Sequence, residues 1–256
     1  MLPVIEGVIA RRILLNFRVD LDVARGLVPA PLKVKPVKDK AVVGVCLIRI
    51  ERARPKGLPE YVGFASENMA HRFAIRFPQG DGEEDGVFVP RRDTDSAFVG
   101  LLGGRLFPGY HHLAEFAVAE TADGLTMDVQ TERGVGDVHL RAKWTTQWQG
   151  SEIFDGLEEA SEFFQRAPCG FSWGRDGRTL EGVRLRTMEW RIQPLRVDDV
   201  SARFYDSLRR FPPGSVAFDH ALVMRAVPHE WHELCCVPEL AGDFGQDLDA
   251  FSPPGV

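Results

Sequence analysis

The segment VFVPRRDTDSAFVGLLGGRLFPGYHHLAEF, residues 87–116, concentrates polar side chains that the rest of the chain spreads out. It contains an Arg-Arg pair, two aspartates, a Gly-Gly and a Pro-Gly turn, and a His-His pair. Apolar runs flank the segment on both sides, so these polar groups are carried into or beside a core, where burial is costly unless they are paired. The segment therefore predicts a pocket, although it does not by itself predict a reaction.

Strands dominate the pattern on both sides of this segment. Helices are short: one follows Asp20 as N-cap and stops at Pro29, and one at 156–166 has Asp155 as cap with Glu158 reaching back. Short helices are also predicted at 96–104, ending at Gly103-Gly104, and around 201–210. Strands are predicted at 4–19, 41–50, 66–77, 87–90 (ending at Pro90), 111–120, 125–148 (a hairpin pair), 183–195 and 216–227.

This balance of elements predicts a mainly β protein, a β-rich α+β fold. We expect a bent, mostly antiparallel sheet or β-barrel with a few short covering helices. Residues 1–237 form a single domain in this interpretation, and the Gly-, Pro- and Asp-rich tail at 238–256 is expected to be poorly ordered.

Composition excludes several classes of protein. The 256 residues are 44% hydrophobic with a formal charge of −6, and no basic block suggests nucleic acid as a partner. No apolar run approaches the roughly 20 residues that span a bilayer, and the N-terminus lacks signal-peptide features. We therefore expect a cytoplasmic protein without membrane or nucleic-acid partners. The four cysteines contain no CxxC motif, so reduced thiols without a metal are expected.

The strand SENMAHRFAIRF, residues 66–77, carries polar groups on its apolar face. Alternation places Glu67 and His71 on the same face as Met69, Phe73 and Phe77. An inward carboxylate needs a partner, which His71 or Arg105 can supply. The alternatives are a functional Glu67 and a purely structural ion pair.

The adjacent histidines His111 and His112 point to opposite faces if they lie on a strand. Only one of them can then enter a pocket, and the pattern leaves open which one. A single histidine suits general acid–base chemistry because its ordinary pKa is about 6.5. The alternative is a histidine with a structural hydrogen bond.

The arginines in the same region are candidates for anion binding. Arg91 and Arg92 precede Asp93 and Asp95, so they form either an anion clamp or a self-satisfied Arg-Asp network. Arg105 follows a Gly-Gly turn and can reach a ligand carboxylate. The run HEWH, residues 229–232, lacks the HExxH spacing and is interpreted as a solvated turn rather than a metal site.

Two stretches resemble the acetoacetate decarboxylase superfamily. LNFRVDLDVARGLVPAPLKV (residues 15–34) is similar to the N-terminal strand-helix-Pro segment of those enzymes. GGRLFPGYHH (residues 103–112) resembles their G-R-E, turn, Tyr-Pro-Lys-Lys stretch. With SENMAHR, PRRDTDS and FPPGSVAFDHALVMR, the order of motifs resembles one branch, the uncharacterised bacterial YqjF-like proteins, over most of residues 8–232.

The resemblance implies an enclosed pocket in a β-barrel-like fold and places Glu67 where the decarboxylases carry a pocket glutamate. It also marks a departure. Those enzymes use a lysine pair for Schiff-base chemistry, whereas His111 and His112 stand there in this chain, and imidazole cannot form the required imine. Lys143 is expected to be an exposed strand lysine.

Together these observations predict a pocket for a small carboxylate or carbonyl compound without a Schiff-base lysine or a cofactor. Acid–base lyase or hydrolase chemistry would use His111 or His112 and Glu67 as catalytic groups, with Arg105, His71, Arg91 and Arg92 binding the ligand. The alternative is a non-catalytic protein that binds a small, anionic or partly apolar molecule in the same pocket. A homo-oligomer is left open.

Overall fold

The computed structural model describes residues 3–102, 109–174 and 179–233. Within them the chain is mostly strand, with three short α-helices: α1 (Leu21–Arg25), α2 (Ala97–Leu102) and α3 (Leu157–Gln165). The strands are β1 (Ile5–Asp20), β2 (Lys33–Val34), β3 (Pro36–Val37), β4 (Lys40–Pro55), β5 (Phe64–Gln79), β6 (Gly82–Thr94), β7 (His111–Glu120), β8 (Gly124–Thr131), β9 (Val138–Trp144), β10 (Cys169–Trp173), β11 (Leu180–Thr187), β12 (Gln193–Ala202) and β13 (Val216–Glu233).

These strands form one large mixed sheet, which confirms the expected mainly β class with few short helices. The hydrogen-bonded order is β11-β10-β6-β7-β8-β9-β12-β13-β1-β4-β5-β2, and β3 pairs with β4. Pairings of β6 with β5 and of β11 with β13 connect distant parts of this order, so the sheet closes on itself. The pairs of β6 with β7 and with β10 are parallel, and the other pairs are antiparallel.

The closed sheet has apolar side chains on both faces. The inner face holds the main core, to which Ile13, Leu47, Met69 and Phe73 belong. The outer face of β1, β4 and β5 packs against α3, whose buried residues are Ala160, Phe163 and Phe164. Because both faces are covered, a polar side chain on either face of the central strands is withdrawn from water.

Strand β5 confirms the alternation predicted for residues 66–77. Glu67, Met69, His71, Phe73, Ile75 and Phe77 are all buried. The prediction that Pro90 ends the following strand is wrong, because β6 continues to Thr94. Pro90 lies where the register shifts between His71 paired with Arg91 and Phe73 paired with Phe88, and such a bulge tolerates the missing N–H of proline.

Other local predictions need correction. The strand expected at 183–195 divides into β11 and β12, which pair with different neighbours. The helix expected around 201–210 is a single 3-10 turn, Arg203–Asp206. Helix α3 begins after Gly156, and the side chain that reaches back to the Asp155 N–H is Glu159 rather than Glu158. HEWH is the end of β13 rather than a turn.

The tail at 238–256 and the Gly103-Gly104 turn lie outside the described residues. Among the helices that the structure describes, none combines the length and apolar character needed to cross a membrane.

Candidate functional site

A cavity of about 110 Å³ lies beside β4, β5 and β6, and residues of β1, β11 and β13 complete its wall. Most of its lining is apolar, with Ile48, Phe64 and Val99 among the contributors. Its polar lining comprises Ser66, Asn68, Arg92, Asp93, His111, His232 and Glu233, and the Asp93 carboxylate is paired with Arg91.

Strand register brings Arg92 and His111 together at this cavity. Ala70 of β5 is paired with Arg92 of β6, and Arg92 is paired with His111 of β7. Residues paired in this way point to the same face of a sheet. The Nε of Arg92 donates to the Ser172 hydroxyl at 2.8 Å, and Nδ1 of His111 lies 3.2 Å from the Gly109 carbonyl oxygen. Since a carbonyl oxygen only accepts, His111 carries a proton on Nδ1 in this arrangement.

The neighbouring residues in sequence face the other way. His112 is paired with Asp93, and the even-numbered residues Ala114, Phe116 and Val118 that follow it on β7 pack against the main core. Burial, together with the positive charge of Arg91, lowers the pKa of His112 to about 4. The His-His pair is thus divided between the two faces of the sheet, with His111 at the cavity.

Arg91 and Asp93 form a buried ion pair on the inner face. The Arg91 guanidinium makes two hydrogen bonds to the Asp93 carboxylate, at 3.0 and 2.6 Å. Burial raises the pKa of Asp93 to about 6, and Arg91 opposes this shift. Of the two alternatives for this segment, an anion clamp or an internal Arg-Asp network, Arg91 and Asp93 therefore form the second.

His71 is the most secluded titratable group of this region. It is fully buried and stacks on Phe204 with ring centroids 4.3 Å apart. Neither ring nitrogen has a partner in hydrogen-bonding geometry among the described residues. Burial, followed by repulsion from Arg91, lowers the pKa of His71 to about 3, and the nearby Gly136 backbone opposes the shift. The ring is therefore held neutral.

Glu67 belongs to a third group of charges, which sequence analysis did not foresee. Both of its carboxylate oxygens accept from Arg11 at 2.9 Å, and Arg49 lies 3.6 Å away. Arg11 also donates to Glu120 at 2.7 Å. Burial raises the pKa of Glu67, and Arg11 pulls it back. Among the described residues its partner is thus Arg11 rather than His71.

The predicted site residues fall into separate places. Arg92 and His111 meet at the cavity, whereas His71, Arg91 and His112 lie on the inner face. Arg105 lies outside the described residues. The catalytic roles of His111, His112 and Glu67 remain predictions. Sequence analysis missed Asn68 and Ser66 as lining residues because it followed only the apolar face of β5.

Every lysine of the chain is ion-paired with a carboxylate, and none of them lines the cavity as the described residues define it. The Lys143 ammonium is 3.7 Å from Asp198 and its side chain is 54% exposed, as expected for a surface strand. The six pairs are Lys33–Glu83, Lys35–Asp85, Lys38–Asp155, Lys40–Asp20, Lys56–Glu230 and Lys143–Asp198.

No set of three or more His, Cys, Asp or Glu side chains is arranged to hold a metal ion within the described part of the chain. The HEWH run illustrates this: Nε2 of His232 contacts Glu230 at 2.8 Å, while His229 is buried against Trp231. Burial lowers the pKa of His229 to about 4.

Comparison with known proteins places the chain in a recognised group. Residues 9–219 match the DUF2071 family, described as an uncharacterised conserved protein. No curated protein shows significant similarity to the chain.

Solved structures share its fold. Acetoacetate decarboxylase from Legionella pneumophila has a TM-score of 0.60 at 13% identity, covering 94% of this chain and 88% of that one. An acetoacetate decarboxylase-like enzyme from Sphingomonas wittichii has a TM-score of 0.54 at 14% identity, with 91% of each chain covered. The enduracididine biosynthesis enzyme MppR, complexed with pyruvate, has a TM-score of 0.51 at 13% identity, covering 90% and 88%.

Proposed function

The chain belongs to the DUF2071 family, and from that premise we propose that it is a small-molecule-binding protein whose cavity holds a small carboxylate or carbonyl compound. The observation that carries the proposal is the pair formed by Arg92 and His111 in the wall of an otherwise mostly apolar cavity.

The size of the cavity limits the ligand. Its volume is about 110 Å³, whereas pockets for drug-sized ligands are roughly 300–1,000 Å³. An apolar cavity of about 150 Å³ in another protein accepts benzene. The proposed ligand is therefore a small acid or carbonyl compound no larger than benzene.

The chemistry of the wall favours an acidic or carbonyl group. A guanidinium binds a carboxylate through parallel N–H donors, and Arg92 presents such a group beside the His111 ring, whose Nδ1 is engaged with the Gly109 carbonyl oxygen. The apolar part of the wall suits a short hydrocarbon portion of the ligand. Pyruvate, with which one protein of the same fold is complexed, combines these features and is a suitable probe.

Binding without chemistry is better supported than catalysis. A catalytic carboxylate has to be available to a reacting group, but Glu67 is held by two hydrogen bonds from Arg11 and does not line the cavity. Schiff-base chemistry has no support either, because each lysine is ion-paired with a carboxylate and none lines the cavity as the described residues define it. Acid–base lyase or hydrolase chemistry through His111 remains the alternative, and turnover assays distinguish it from binding.

Isothermal titration with pyruvate tests the proposal. We expect a Kd below about 1 mM, which corresponds to a binding free energy of about −4 kcal/mol. This affinity is within reach of so small a ligand. Arg92→Gln is expected to weaken binding at least tenfold. Arg76→Gln, which removes an exposed arginine of the neighbouring strand β5 that is paired with Asp85, is the matched control and should bind as the wild type does. Equal binding by all three proteins, or no binding by any, would refute the proposal.

A further inference from the structure

The arginine at the cavity is one of three that share an unusual environment. Arg12 of β1, Arg72 of β5 and Arg92 of β6 surround Cys46 of β4. Cys46 is paired with Ala70, and Ala70 with Arg92. Leu14 is also paired with Cys46, so Arg12 lies two residues from a direct partner of the thiol. Cross-strand neighbours of this kind lie within about 5–10 Å of one another.

All three arginines bond to neutral acceptors. Nε of Arg12 donates to the Cys46 sulfur at 3.4 Å, Arg72 donates to the Asn16 side-chain oxygen, and Arg92 donates to the Ser172 hydroxyl at 2.8 Å. Among the described residues, no carboxylate lies within ion-pair distance of any of the three guanidinium groups. By contrast, the nearby arginines Arg11, Arg49 and Arg91 are each paired with an acid.

Of the three charges, Arg72 is buried, whereas Arg12 and Arg92 are half-buried. Arg72 is 5% exposed and its Nε has no hydrogen-bond partner among the described residues. Burial lowers the pKa of Arg72 and of Arg92 to about 10, so both are still charged at neutral pH. The carboxylate of Glu181 offsets this shift for Arg92 from beyond ion-pair distance. Buried cations without a counter-charge are unfavourable, and a bound anion would relieve this cost.

We propose that the cavity ligand is a small dianion, selected by the combined field of Arg12, Arg72 and Arg92 rather than by Arg92 alone. This inference rests on the proposed function and narrows its ligand class. Arg92 makes the direct contact, because it lines the cavity. Arg12 and Arg72 act across the neighbouring strands, where charges interact strongly in the low-dielectric protein interior.

Three probes of one skeleton separate charge from shape. Malonate, malonamate and malonamide differ in charge but hardly in size, and their affinities are measured by titration calorimetry at pH 7.5. We expect malonate to bind at least tenfold more tightly than malonamate, and malonamate more tightly than malonamide. Raising the salt concentration should reduce the preference for malonate, since screening weakens charge interactions.

Variants away from the cavity wall then test the arginine group. Arg12→Gln is expected to weaken malonate binding about tenfold and malonamate binding less, while Arg12→Lys, which keeps the charge, retains the preference for the dianion. Arg76→Gln is the control for removal of a paired arginine, and thermal unfolding checks that each variant is folded.

The two proposals fail in different ways. If neither pyruvate nor any member of the series binds, the proposed function fails. If pyruvate binds and malonate does not, only the dianion inference is overturned. If the monoanion or the neutral diamide binds as tightly as malonate, or if Arg12→Gln leaves the preference unchanged, the dianion inference is overturned while the binding function stands.

Discussion

His111 and His112 are adjacent in sequence but lie on opposite faces of the same strand. His111 shares the outer face with Arg92 and lines the cavity, whereas His112 is paired with Asp93 and shares the inner face with the main core. A molecule bound in the cavity would therefore change the chemical environment of His111 and leave that of His112 unchanged.

No lysine lines the cavity that the described residues form, which predicts that the protein forms no Schiff base. Incubation with acetoacetate or pyruvate followed by borohydride should leave its mass unchanged, because each lysine is ion-paired with a carboxylate away from the cavity. Intact-protein mass spectrometry provides the measurement. A reduced adduct mapped to any lysine would contradict the account.

Removing one partner of the buried Arg91–Asp93 pair should be strongly destabilising. Arg91→Gln leaves the Asp93 carboxylate buried without its two hydrogen bonds, and such a change costs about 3–5 kcal/mol. The double variant Arg91→Gln/Asp93→Asn should recover part of the loss, since no unpaired charge remains. Urea denaturation gives the free energies of unfolding, and strictly additive losses would argue against coupling between the two residues.

Gly136 is predicted to tolerate no side chain. A Cβ built there would lie 2.7 Å from Nε of Arg91 and 3.3 Å from Nε2 of His71, so Gly136→Ala should destabilise the fold by about 1–3 kcal/mol through overpacking. Gly82→Ala is the matched control, because nothing lies within 4 Å of its added Cβ. Thermal unfolding compares the two, and equal melting temperatures would contradict the close packing of Gly136.

The buried His71 predicts a specific pH dependence of stability. Its pKa falls from 6.5 to about 3 in the folded protein, so between these values the unfolded chain binds a proton that the folded chain does not. The free energy of unfolding should therefore be highest above pH 6.5 and decrease on acidification, by about 1.4 kcal/mol per pH unit for this histidine. Near pH 5, His71→Gln should reduce the slope of the unfolding free energy against pH by that amount. An unchanged slope would show that His71 takes up its proton without unfolding.

Alternation along single strands was predictable from sequence. The inward placement of Glu67 and His71 follows from the apolar residues interleaved with them, and the division of His111 from His112 follows from the geometry of any strand. The β class follows from the same patterns.

The partners of these residues were not predictable, because they depend on strand pairing between distant segments. Arg11 is 56 residues from Glu67 in sequence. In the sequence it is only a charged residue within an apolar run, and nothing near it indicates its partner. Pro90 suggested a strand end because a bulge cannot be distinguished from an end in one sequence. Arg72 and Asn68 lie on the face of β5 opposite Glu67. The strand pattern alone did not indicate that this outer face is also covered, so their shielding from water was not predicted.

The most direct test of the central claim is an NMR titration of the histidine side chains with pyruvate, with the imidazole signals assigned from His111→Gln and His112→Gln spectra. If the cavity beside Arg92 holds the ligand, the His111 signals should shift saturably while the His112 signals stay in place, and Arg92→Gln should abolish the shift. Saturable shifts of His112 alone, or no shift of either histidine up to about 10 mM pyruvate, far above the Kd expected for such a site, would contradict a ligand site at this cavity.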